Sequence, residues 1–355
     1  MTMHRLEIFL PIIVFVLLAL GLATLSTAAP DISFVKKQAA FAAAGIIAGV
    51  VILFLGRKRI LDLGFPIYWL SVVLLIITHF FGAEKNGAKS WLEIGPLPSF
   101  QPSELAKISL IMALAIILHE RPIKTIKDYL QAVVIIVLPF ILVLLEPDLG
   151  SALVLAAIGA GMILVRGVPW RHLVVFAVMF AVLIPLAWPK LQPHQKTRII
   201  AFMNPEADPQ GSGYQVIQSR IAIGSGGLHG KGYKQGTQAQ LGFIPYRYAD
   251  FIFPVLAEEG GFLASMVLLL VFMLLFWRLT AMASECLYER DQLIITGILV
   301  MISFQVIINL GVSLGLAPVT GITLPLISYG GTSLVSTLIA LSLAYVVHRD
   351  KYKDF

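Results

Sequence analysis

The chain has 355 residues, 58% of them hydrophobic and only 13% charged, with a mean hydropathy of +0.88. Soluble domains run nearer roughly 45–50% apolar and about 25% charged, so this composition excludes a soluble globular fold. The net charge of +6 does not call for nucleic acid, because membrane chains keep Lys and Arg on the cytoplasmic side.

In lipid the backbone must satisfy its own hydrogen bonds, so the expected fold class is all-α: a polytopic integral membrane protein forming a single domain over residues 1–355. Arg5 precedes an apolar run to Ala28 that is too long for a signal-peptide core and reads as a first spanning helix. A span needs about 20 apolar residues. Ten are expected, at 7–28, 36–56, 65–82, 103–119, 129–146, 150–166, 169–188, 251–277, 292–315 and 328–348. The joint "EPDLG" (146–150) is either a true break or a kink. With both termini cytoplasmic, the short inner loops hold 14 Lys and Arg and the short outer loops hold 4.

That orientation makes 189–250 a large extracytoplasmic loop, expected to carry no clear secondary structure. Loops of this length are usually functional. Its cations include Arg198, Arg220, Lys231 and Lys234, and glycines recur through "IAIGSGGLHGKGYKQGTQAQ". Such a stretch reads as a flexible linker or as backbone N–H groups turned toward an anion. It lacks the Lys-Ser/Thr pair of a P-loop. No zinc-ligand spacing appears among the seven His, and the single Cys286 excludes an intramolecular disulfide.

Several charges stand where lipid begins. Glu104 and Lys107 are three apart in "QPSELAK", on one helix face, as a packing ion pair or as a pair turned to a cavity. Pro102, Ser103 and Glu104 suit a first turn. Asp148 can cap the sixth helix or line a site. Asp250 precedes an apolar run as a helix-start charge or a functional one, and Glu258 and Glu259 lie about two turns further in. Residues 315–334 combine Gly and Pro with almost no charge, which predicts a re-entrant segment followed by a small-residue helix start at "SYGGTS".

"QPSELAK" (101–107), "EPDLG" (146–150), "GYQVIQSRIAIGSGGLHGKG" (213–232), "DFIFPVLAEEGG" (250–261) and "PVTGITLPLISYGGTS" (318–333), in this order, resemble the SEDS family (shape, elongation, division and sporulation). The stretch 236–253 is more similar to its elongation branch, RodA, than to its division branch, FtsW. The pattern departs at Tyr246, Tyr248 and Ala249, where the family usually carries Glu, His and Thr. The resemblance implies a peptidoglycan glycosyltransferase of the bacterial cytoplasmic membrane. It would polymerise lipid II at the outer face during elongation, beside a class B penicillin-binding transpeptidase and other elongation-complex proteins. It also implies Asp250 as the essential residue, here a candidate general base. Candidate substrate contacts are Glu104, Lys107, Asp148, Arg198, Arg220, Lys231, Lys234, Glu258, Ser328 and Gly330. A divalent cation, Mg or Mn, is compatible with the chemistry but has no dedicated motif. A lipid II flippase and a non-enzymatic scaffold for the transpeptidase are the alternative readings.

Overall fold

The computed structural model describes residues 8–85, 88–93, 95, 98–120, 126–167, 193–208 and 211–350. Its helices are α1 (Phe9–Ala28), α2 (Ile32–Asp62), α3 (Gly64–Phe81), α4 (Pro102–Glu120), α5 (Ile126–Leu145), α6 (Leu149–Val165), α7 (Pro193–Met203), α8 (Ser212–Ser225), α9 (Thr237–Gln240), α10 (Ile252–Ser284), α11 (Glu289–Leu314) and α12 (Gly331–Arg349). A short antiparallel hairpin, β1 (Ala83–Lys85) and β2 (Ala88–Trp91), follows α3. Seven of these helices (α1–α4 and α10–α12) are long and apolar enough to cross a membrane; the apolar parts of α5 and α6 are shorter. The expected span at 169–188 lies outside the described residues.

Local chemistry sets the helix ends. Asp31 caps α2 by accepting from Ser33 N–H at 2.6 Å. Pro102 opens α4, with Glu104 in its first turn. The joint at 146–148 is a true break: Asp148 caps α6 by accepting from Ser151 N–H at 3.0 Å. α4 is the most enclosed of the long helices and packs against α3, α6 and α11, while α12 runs along α2. At the end where α12 finishes, buried Arg57 pairs with Asp291 at 2.8 Å, Arg166 pairs with Glu289, and His348 meets Glu285 at 2.6 Å.

Residues 316–330 form an irregular, largely buried strap between α11 and α12. Gly21 of α1 lets the strap in, since a Cβ there would strike the carbonyl of Leu326. Gly21 sits about 10 Å along α1 from its Ala28 end, so the strap reaches well into the bundle. This agrees with the expected re-entrant path, and packed protein supplies the surroundings that irregular backbone needs at such depth.

The loop after residue 192 departs from expectation. It contains α7, a 3-10 turn (Pro205–Ala207), α8 and α9. Helix α8 is held by Ser219, whose hydroxyl donates to Ser313 O at 2.6 Å. The Gly-rich stretch is neither a linker nor an open anion nest. Helix α10 breaks at Gly261 (φ 68°, ψ −161°). Lys231 N–H and Gly232 N–H donate to the freed carbonyls of Glu258 and Glu259; Phe262 N–H and Leu263 N–H donate to the carbonyls of Gly227 and Leu228. The loop backbone is spliced into the helix break, so these amides are committed.

Candidate active site

At the end of the bundle opposite the Arg57–Asp291 pair, a cavity of about 400 Å³ opens where the starts of α2, α4 and α6, the helix α7, the approach to α10 and the strap converge. Asp250 lines it, half-buried, on the turn before α10. Its backbone is fixed residue by residue. Tyr329 N–H donates to Tyr248 O at 2.8 Å, the Ser328 hydroxyl donates to Ala249 O at 2.6 Å, and Asn309 Nδ2 donates to Asp250 O at 2.9 Å. Asn309 Nδ2 also donates to Ile322 O at 2.8 Å, and Ser328 Oγ accepts from Leu324 N–H at 2.9 Å, so strap and turn form one unit. Gln38 of α2 completes it, donating to Ser328 O at 2.8 Å and accepting from Gly330 N–H at 3.3 Å.

The charges in the cavity are Asp250, Asp148, Arg198, Glu104 and Lys107. Removal from water pushes the Asp250 carboxyl up to about 6; Arg198 pulls it back and Asp148 adds to the rise. Lys107 and Glu104 are buried and meet at 2.8 Å, and the Ser336 hydroxyl donates to the other Glu104 oxygen at 2.7 Å. Asp148 combines both roles considered for it, since it caps α6, accepts from Gln101 Nε2 at 2.9 Å and lines the cavity. Gln305 Oε1 and Thr320 Oγ1, both buried on the cavity wall, have no protein hydrogen-bond partner. Six aromatic side chains also line it: Phe34, Phe41, Trp91, Tyr246, Tyr248 and Tyr329.

Gly330 also lines the cavity, whereas Ser328 acts on it through the Ala249 carbonyl. Four candidate contacts are not brought to the cavity. Lys231 is spent on Glu258 at 2.7 Å. Glu258 also accepts from Gln238 N–H at 2.9 Å and Ala239 N–H at 3.1 Å, which anchors α9. Arg220 caps α11 by donating to Leu314 O and Gly315 O at 3.0 and 2.9 Å. Lys234 is exposed, with its ammonium over the Tyr233 ring. Two residues that the sequence reading passed over are Gln38 and Asn309. Their signal was available, because each is an amide side chain within an apolar helix. Among the described residues, no group of three or more His, Cys, Asp or Glu side chains could hold a metal ion. Asp148 and Asp250 alone do not make a metal site.

Comparison with known proteins gives a consistent result. Over residues 1–353 the chain matches the model of the cell cycle protein family FtsW/RodA/SpoVE. It is 36% identical over 345 residues to peptidoglycan glycosyltransferase MrdB of Escherichia coli (strain K12), covering 95% of this chain and 93% of that one. Stage V sporulation protein E of Bacillus subtilis (strain 168) is 35% identical over 373 residues, with 97% of each chain covered. Among solved structures, the rod shape determining protein RodA of Thermus thermophilus superposes with a TM-score of 0.75 at 37% identity, covering 97% of this chain and 96% of that one. A chain from a structure on the coordination of polymerization and crosslinking by a peptidoglycan synthase complex reaches 0.86 at 43% identity, covering 97% and 98%. This chain belongs to the FtsW/RodA/SpoVE family, the SEDS proteins.

Proposed function

We propose that the protein is a peptidoglycan glycosyltransferase that polymerises lipid II, with Asp250 as general base. It is a multi-pass inner-membrane protein, with both termini cytoplasmic and the cavity facing outward. It works beside a transpeptidase, in keeping with the synthase complex that its fold matches. The observation that carries this reading is a carboxylate raised toward neutrality, on a backbone pinned at three successive carbonyls, in a cavity that offers both cations and aromatic rings.

The transfer joins the 4-hydroxyl of an acceptor GlcNAc to the anomeric carbon of a MurNAc linked to polyprenyl diphosphate. The C–O bond to diphosphate breaks and the α-linked donor becomes β-linked, so attack comes from the opposite face. Asp250 takes the hydroxyl proton as the bond forms, and a base whose pKa lies near the working pH does this best. Arg198 balances the charge that develops on the departing diphosphate, and Lys107, held by Glu104, adds positive potential from deeper in the cavity. Asp148 keeps the start of α6 and Gln101 in place around the donor, and Gly330 leaves room for it on the strap side.

The test is polymerisation of purified lipid II by the full-length protein and by Asp250→Asn, each with and without the transpeptidase. The expected result is a ladder of glycan products from the wild type and a loss of about 10²–10⁴-fold in Asp250→Asn. Lipid translocation without polymer refutes the reading, and so does unimpaired polymerisation by Asp250→Asn.

A further inference from the structure

We infer that Phe34, Tyr248 and Tyr329 form a platform that takes the apolar face of the acceptor sugar and turns its hydroxyl rim toward Asp250. The inference rests on the glycosyl-transfer reading above and adds a specificity determinant to it.

The three rings come from distant parts of the chain: the first turn of α2, the turn before α10, and the end of the strap. Phe34 lies 4.9 Å, centroid to centroid, from both Tyr248 and Tyr329, tilted by 56° and 57°. Tyr248 and Tyr329 are 6.0 Å apart and edge-on. These are the tilted arrangements that aromatic rings favour, so the trio holds its own geometry before any ligand arrives. All three line the cavity and all three are half-buried.

A pyranose with equatorial substituents carries C–H bonds on its faces and hydroxyls around its rim. The weakly positive C–H groups suit the negative face of an aromatic ring. A sugar seated on the platform therefore presents its hydroxyls sideways. Tyr248 stands two residues before Asp250, and its carbonyl is bonded to the amide of Tyr329. Platform and carboxylate thus share one fixed stretch of backbone, and their separation is set without help from flexible side chains. This also assigns the sugar. The donor is the sugar whose diphosphate departs, beside Arg198 and Lys107, whereas the sugar whose hydroxyl must meet the base is the acceptor. A polyprenyl chain needs no hydroxyl-reading group beside it and makes no use of this pairing.

The test is steady-state polymerisation of lipid II by the full-length protein carrying Tyr248→Leu, Tyr329→Leu or Tyr248→Phe, with a soluble glycan oligomer lacking the polyprenyl group as competing acceptor. Each Leu variant is expected to raise the apparent KM about tenfold and leave kcat within about threefold, while the Phe variant restores the wild-type KM. The glycan is expected to inhibit the wild type and the Phe variant and to lose its effect on the Leu variants. Where a Leu variant does not fold, Phe34→Leu makes the same test from the third ring. An unchanged KM in the Leu variants overturns the inference, and so does a Phe variant as poor as Leu. Inhibition by polyprenyl phosphate, in place of the glycan, that depends on Tyr248 also overturns it. Wild-type protein that makes no glycan refutes the glycosyl-transfer reading itself; glycan made with a KM indifferent to the rings refutes the platform alone.

Discussion

Asn309 and Asp250 are 59 residues apart in sequence, yet the Asn309 amide donates to the Asp250 carbonyl at 2.9 Å and to Ile322 O at 2.8 Å. One buried side chain thereby ties the Asp250 turn to the strap. Asn309→Ala is expected to lower polymerisation by about 10²-fold, through displacement of Asp250 by about an ångström, with lipid II still bound. Ser328→Ala, which frees the Ala249 carbonyl, should act in the same direction. Binding and turnover measured separately check both; loss of binding with intact turnover would refute the positioning role.

The raised carboxyl of Asp250 predicts a pH profile. Below about 6 the group is protonated and cannot accept a proton, so the rate should fall about tenfold per pH unit there; an unperturbed Asp would place that limb near 3.9. Arg198→Gln removes the neighbouring cation and should move the limb to higher pH. Asp148→Asn removes a neighbouring negative charge, keeps a competent cap and should move it lower. The stability consequence has the opposite sense from that of a salt-bridged Asp. The folded-state pKa lies above the unfolded one, so ionisation costs stability as pH rises from about 4 through 6. Asp250→Asn should accordingly unfold at a higher temperature than wild type at pH 7 while being inactive.

Glu104 and Lys107 are both buried, so removal of one partner strands a charge. Glu104→Gln and Lys107→Met should each destabilise by about 3 kcal/mol, and the double variant should recover most of that loss. Activity should stay low in Lys107→Met and in the double variant, because the cavity loses the Lys107 charge in both. Thermal unfolding in detergent, run as a double-mutant cycle beside the polymerisation assay, measures both effects.

The Glu258 carboxylate holds the Lys231 ammonium and two amides of α9. Glu258→Ala should destabilise by about 3 kcal/mol and speed hydrogen exchange at Gln238 and Ala239. Lys231→Ala leaves the amide bonds in place and should cost about 1 kcal/mol.

The long helices were legible because spanning lipid demands long apolar runs. The expected 103–119 and 328–348 became Pro102–Glu120 and Gly331–Arg349. The expected end of the second span at 56 coincides with Gly56, where α2 leaves helical geometry. Helices α7–α9 were not legible. They are short and polar for a membrane chain, and α8 is set against the end of α11 by Ser219 and Arg220, contacts about 95 residues away in sequence that no local pattern encodes. The same holds for the cations of the loop. Composition counts Arg198, Arg220, Lys231 and Lys234 alike, and only the packing separates Arg198 in the cavity from Lys231 on Glu258. Asp250 stood out through family resemblance, since a helix-start charge looks the same whether or not it is catalytic. Its supports, Ser328 and Asn309, come from another part of the chain.

The break at Gly261 also resolves an apparent expense. Helix α10 has 33 residues and would be about 50 Å long, far more than the roughly 30 Å of hydrocarbon it has to cross. From Phe262 to Ser284 the run is about 34 Å, which is a full crossing by itself. The turns before it, with Glu258 and Glu259, are bonded to the Gly-rich loop, and the length already spent on the crossing leaves them with that loop outside the hydrocarbon. Two carboxylates that count by sequence as charges inside the bilayer are, by this measure, part of a rigid deck at the membrane's edge on which Asp250 is mounted.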